Sequence, residues 1–76
     1  MSNTNTECRE NLFSSKQAAI KGMWRYYNTH IRVKVGGPLV SECGTVLQWS
    51  DNCHTEYLSV TTGDLGQHLL IKSWIE

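Results

Sequence analysis

Apolar positions change their spacing partway along the chain. Ala19, Ile20, Met23, Trp24 and Tyr27 fall on one face at intervals of three and four, with Lys16, Lys21 and Arg25 mostly elsewhere, which is the period of an amphipathic helix. Ser14 stands three residues before Gln17, the spacing of a capping box, and Phe13 is placed to staple onto Ala18 one turn in. These signals predict a helix that starts at Ser14 or Ser15 and ends at Asn28. From His30 the period becomes two. Ile31, Val33 and Val35 alternate with Arg32 and Lys34, as in a half-buried strand that would set Arg32 and Lys34 on one face.

Turn chemistry divides the remainder. Gly36-Gly37-Pro38 ends the alternation, Leu39-Val40 reads as a short strand, and Gly44 permits a tight bend before a strand over Thr45 to Trp49. Ser50-Asp51-Asn52 is a turn, Glu56 to Thr62 a strand, Gly63-Asp64-Leu65-Gly66 a turn, and Gln67 to Ile75 the last strand. Residues 1–12 are polar and follow neither period, so they read as a flexible arm ahead of one domain over 13–76. The predicted fold class is mainly β (α+β): an N-terminal amphipathic helix followed by a four- to five-stranded antiparallel sheet that closes as a small barrel.

At 76 residues, such a domain buries only about 60% of the surface that its unfolded chain exposes. An isolated barrel of this size gains from a partner that covers its edges, so a homo-oligomer, either a dimer or a ring, is expected. Seven Lys and Arg balance seven Asp and Glu, so any attraction to nucleic acid must be local. Cys8, Cys43 and Cys53 match neither a disulfide framework nor a metal knuckle, which points to reduced thiols and a cytoplasmic setting. No apolar run approaches the roughly 20 residues that cross a bilayer, so no membrane partner is expected.

Candidate chemistry is sparse. Cys53-His54 pairs a nucleophile type with a base type, yet neighbours on a strand point to opposite faces. Cys43, Cys53, His54 and His68 lack the paired spacing of a zinc site. Glu42, Asp51, Glu56 and Asp64 form no carboxylate pair and read as turn and solubility chemistry. No catalytic residue, metal ligand or cofactor is assigned. The binding candidates are Arg25 and Tyr26, turned away from the apolar stripe of the helix, followed by His30, Arg32 and Lys34. Cations beside an aromatic ring suit phosphate contact with base stacking.

The order of helix, bent strand, glycine-centred second strand, hairpin and terminal strand over residues 14–75 resembles the Sm-like proteins, including bacterial Sm-fold inhibitors of transcription termination. In that family a glycine-led strand leads into a loop with an Asp-x-x-Met-Asn signature that helps to bind a base. Counted from Gly44, the loop here is Ser50-Asp51-Asn52-Cys53-His54, in which Asp51 and Asn52 keep the family's character and the other three depart from it. The family's second motif, an Arg-Gly pair, is represented by Lys72-Ser73. The resemblance implies an SH3-like barrel and adds Asp51 and His54 to the binding candidates. Plasmid-borne type II dihydrofolate reductases are similar small barrels, but their active-site Gln and Tyr have no counterpart in His68-Leu69-Leu70-Ile71.

These features predict a non-enzymatic interaction module that binds a protein or RNA partner. A regulatory or accessory protein, such as one carried by a phage or mobile element, fits that description. The alternative is a small homo-oligomeric enzyme or ligand-binding protein with its site at a symmetry axis.

Overall fold

A computed structural model describes the backbone of residues 4–75 and the side chains of residues 5–8 and 13–75. The chain runs β1 (Thr4–Phe13), α1 (Lys16–His30), α2 (Arg32–Val35), β2 (Leu39–Val40), β3 (Val46–Asp51), β4 (His54–Thr62) and β5 (His68–Ile75). One antiparallel sheet holds all five strands in the order β1-β5-β4-β3-β2.

Ser15 starts α1. Its backbone is extended (φ −155°, ψ 166°) and its Oγ accepts from the Ala18 N–H at 3.1 Å, satisfying one of the amides that a helix N-terminus leaves unpaired. Phe13 packs one turn further on than a staple onto Ala18: a Cβ at Gly22 would lie 2.6 Å from the edge of its ring. Ala19, Met23 and Tyr27 are fully buried, as the helical period requires. Met23, Tyr27 and Ile31 close onto Leu47, Trp49, Leu58 and Leu70 of the sheet.

Three expectations are corrected. The sheet is not closed into a barrel, because β1 and β2 remain its two edges. The helices cover one face instead, and Met23, Tyr27 and Ile31 supply the apolar surface that a barrel's opposite wall would supply. The helix is also not N-terminal. The segment read as an arm contains β1, which lies antiparallel against β5 from Thr4↔Ile75 to Phe13↔His68, with register irregularities between Cys8 and Glu10 and between Glu10 and Phe13; residues 1–3 lie outside the described residues. The third correction concerns residues 31–35. The predicted strand is the short helix α2, in which Ile31 is buried, Val35 half-buried and Val33 82% exposed. Ile31 and Val35 are one helical turn apart, so both reach the core, and Tyr27 locks the segment by donating its hydroxyl to the Gly36 carbonyl.

The β2–β5 meander turns close to the predicted places, but Ser50 and Asp51, read as turn residues, extend β3. Asn52 and Cys53 form the two-residue β3–β4 turn, both with positive φ (48° and 69°), as a type I′ hairpin demands. By register, the helix-side face carries Leu47 and Trp49 of β3, Glu56 and Leu58 of β4, and Leu70, Lys72 and Trp74 of β5. The other face carries Val46, Gln48 and Ser50 of β3, then Thr55, Tyr57, Ser59 and Thr61 of β4. It continues with Leu69, Ile71, Ser73 and Ile75 of β5, and with Thr6 and Cys8 of β1.

Candidate nucleic-acid interface

The helical layer is basic. Residues 11–41 contain no Asp or Glu but hold Lys16, Lys21, Arg25, Arg32 and Lys34, whereas all seven acidic residues lie outside that run. These five cationic residues are all exposed. On α1, Lys21 and Arg25 are one turn apart, and Asn28 and Arg32 extend the same stripe past the α1–α2 joint. It runs about 16 Å at 1.5 Å per residue. Arg32 is held in place: its Nε donates to Asn28 Oδ1 at 2.7 Å, and its guanidinium lies 5.4 Å from the Tyr27 ring centroid. Burial pushes the Tyr27 hydroxyl above its ordinary pKa, and the nearby Arg32 charge opposes that shift.

Around the helix from the stripe, the Tyr26 and His30 rings meet in a tilted contact, with centroids 4.8 Å apart and planes at 51°. Tyr26 is half-buried against the core and His30 is exposed. The helical period thus aligns Arg25 with Arg32 along the stripe, whereas Tyr26 and His30 form a separate pair about 100–140° around the helix from Arg25. Lys34 belongs to the same layer but does not share a strand face with Arg32, because two residues of a helix turn through about 200°. Lys16 and Lys21, absent from the sequence-derived candidates, complete the layer; the signal for them was the acid-free run.

Asp51 and His54 lie elsewhere, paired at the end of the β3–β4 hairpin. Asp51 has no part in the basic layer. His54 Nε2 lies 2.8 Å from Glu56 Oε2, and Lys72 Nζ lies 3.2 Å from Glu56 Oε1. Glu56 is 7% exposed, and burying a carboxylate is costly unless its oxygens are matched. Both are matched. A hollow of about 150 Å³ lined by Glu7, His54, Glu56, Lys72 and Trp74 opens there. Lys72 stands 5.9 Å over the Trp74 ring. Sequence reading missed Glu56 because its type is that of a surface residue; its parity with Leu58 on β4 was the available signal.

A second cleft, about 370 Å³, lies between the β2–β3 loop and the end of β4, and Lys16, Cys43, Thr45, Thr62 and His68 are among its lining residues. Cys43 Sγ is 2.9 Å from Thr45 Oγ1 and 3.6 Å from Ser41 Oγ. Hydrogen bonds from Thr45 and then Ser41 lower its pKa from 9.0 to about 7. Cys53, in contrast, sits in the hairpin turn, exposed. Among the described residues, no group of three His, Cys, Asp or Glu side chains converges to hold a metal, and no helix is long and apolar enough to cross a membrane. No protein-family model, curated protein or solved structure matches the chain.

Proposed function

We propose that the protein is a non-enzymatic interaction module whose helical layer binds single-stranded RNA, as a regulatory or accessory factor. The observation that carries this reading is the segregation of charge: five cationic residues and no acid in the run that forms α1 and α2, together with the tilted Tyr26–His30 pair. Phosphates would lie along Lys21, Arg25 and Arg32, and a base would stack on the exposed His30 edge of the pair. The near-zero net charge makes the interaction short-ranged, because fields of opposite sign cancel beyond about one Debye length.

Fluorescence anisotropy with a labelled random-sequence RNA tests it. Three phosphate contacts on a single strand predict a log–log salt slope near −2.1, or about a 20-fold loss of affinity between 50 and 200 mM salt. Arg25→Ala with Arg32→Ala should weaken binding and flatten that slope by about 1.4, while Lys72→Met on the sheet should leave both unchanged. Binding that is absent at 50 mM salt, or that ignores the double substitution, sinks the RNA reading.

The alternative, a small homo-oligomeric enzyme or ligand-binding protein, draws on a different observation: the Cys43 cleft, where an acidified thiol sits in the same hollow as Lys16 and His68. A small molecule retained through gentle purification and displaced by Cys43 alkylation would favour it.

A further inference from the structure

The sheet packs its apolar core against the helices, but its charged residues are distributed unevenly between the two faces. By register, each charged residue of β3, β4 and β5, together with both histidines, lies on the face shared with the helices: Asp51, His54 and Glu56, then His68 and Lys72. Glu7 of β1 follows the same side. Among the described side chains, the face turned away from the helices carries no Asp, Glu, Lys, Arg or His. A solvated antiparallel sheet normally turns its charges toward water, and a soluble surface is typically about one-quarter to one-third charged. Here Ile71, Ser59 and Val46 form one row across the open face, and Ser73, Tyr57 and Gln48 the next. Ile, Val, Leu and Tyr interleaved with Ser, Thr and Gln make this face uncharged and built of strand-favouring residues.

We propose that this face docks against the same face of a second copy of the chain, forming a two-fold sandwich with the helical layers outermost. Charge selects the occupant. In a two-fold contact each residue meets itself or its symmetry mate, so a charged face would confront its own sign, whereas a neutral one does not. A nucleic acid or an acidic peptide finds no counter-charge here.

Size agrees. The four longer strands, about 20–33 Å each and spaced by about 4.8 Å, give a flat footprint near 500 Å². The relief of the side chains raises the accessible area above that flat figure, toward the 600–1,000 Å² per partner of ordinary stable interfaces. Association through an edge is discouraged on both sides: β2 is two residues long, and β1 has two register irregularities.

Sedimentation velocity from 1 to 200 µM tests the proposal, with Ile71→Lys and Ser59→Lys as variants. The wild type should pass from monomer to dimer across this range, and either lysine should weaken the dimer at least 100-fold. Ser59→Lys removes no apolar side chain, so it carries the test if Ile71→Lys unfolds. Methyl NMR of the wild type with a soluble paramagnetic probe should show Val46, Ile71 and Ile75 gaining protection with concentration. A wild-type monomer at 200 µM with those methyls open overturns the proposal and leaves the face to a different protein. A dimer that survives both lysines also overturns it, because the contact then lies elsewhere. Neither variant touches α1 or α2, so RNA binding per chain can fail or persist independently.

Discussion

Replacing Gly22 with Ala tests whether β1 is docked on the helix. In an open helix interior that exchange stabilises by about 1 kcal/mol, because Gly gives up more backbone entropy than Ala on folding. Here the new methyl would stand 2.6 Å from both Cε1 and Cζ of Phe13, well inside the roughly 3.5–4.0 Å optimum for carbon contacts. The ring must move by about 1 Å, and overpacking of this kind costs about 1–3 kcal/mol. Set against the helix gain, the net result is a loss of about 1 kcal/mol, which lowers Tm by about 4–8 °C in a domain of this size. Phe13→Ala removes the obstacle. Gly22→Ala made in that background should recover the helix gain of about 1 kcal/mol, giving a coupling of about 2 kcal/mol between the two sites. Urea unfolding followed by circular dichroism, at one low protein concentration, measures all four corners of the cycle. If Gly22→Ala stabilises the wild type by as much as it stabilises Phe13→Ala, the ring does not lie over Gly22 and the end of β1 is misplaced.

Three further outcomes follow from other parts of the fold. The alkylation rate of Cys43 should rise with pH through a midpoint near 7, since only the thiolate reacts; Thr45→Val should move the midpoint upward, and a wild-type midpoint close to 9 would contradict the Thr45 and Ser41 contacts. Glu56→Ala strands Lys72 and His54 and should cost about 2 kcal/mol in thermal unfolding, with part of that cost restored by adding Lys72→Met; an unchanged Tm would mean that the pairing is not formed. Cys53→Gly should stabilise the β3–β4 hairpin by about 0.5–1 kcal/mol, because a non-glycine residue at φ 69° is strained; a lower midpoint in urea would argue against the type I′ turn.

The helix and the meander were legible because local chemistry and global fold agree there. Ser15 has only to accept one amide to start α1, and Asn52-Cys53, Gly44 and Gly63 to Gly66 turn the chain where turn residues stand. Residues 31–35 were misread because Ile-Arg-Val-Lys-Val satisfies two periods at once. Ile31 and Val35 are i and i+4 on a helix as well as i and i+4 on a strand; only Val33 distinguishes them, by lying in solvent, and no single position reveals that in advance. β1 was missed for another reason. Its partner is β5, at the far end of the chain, and its irregular register erases the alternation that marks a strand. Of the binding candidates, the helical period aligns Arg25 with Arg32 and Tyr26 with His30, as two separate pairs. His54 found Glu56 and Lys72 through strand register, which spacing along one segment does not encode.

The pairing of β1 with β5 also governs how the molecule is made. Synthesis delivers β1 before every other strand, yet the sheet gives it no neighbour except β5, the last of the five to appear. β1 must therefore wait, its hydrogen-bonding edge unsatisfied, while the helices and the β2–β4 meander form behind it. Contacts this distant in sequence slow folding, since the closure entropy of the intervening loop is lost before the pairing compensates for it. The final strand enters between β1 and β4 and completes the sheet in a single event. A nascent chain stalled before His68 would hold β1 unpaired, one edge of β4 open and a core that lacks Leu70, a species suited to chaperone capture rather than to function.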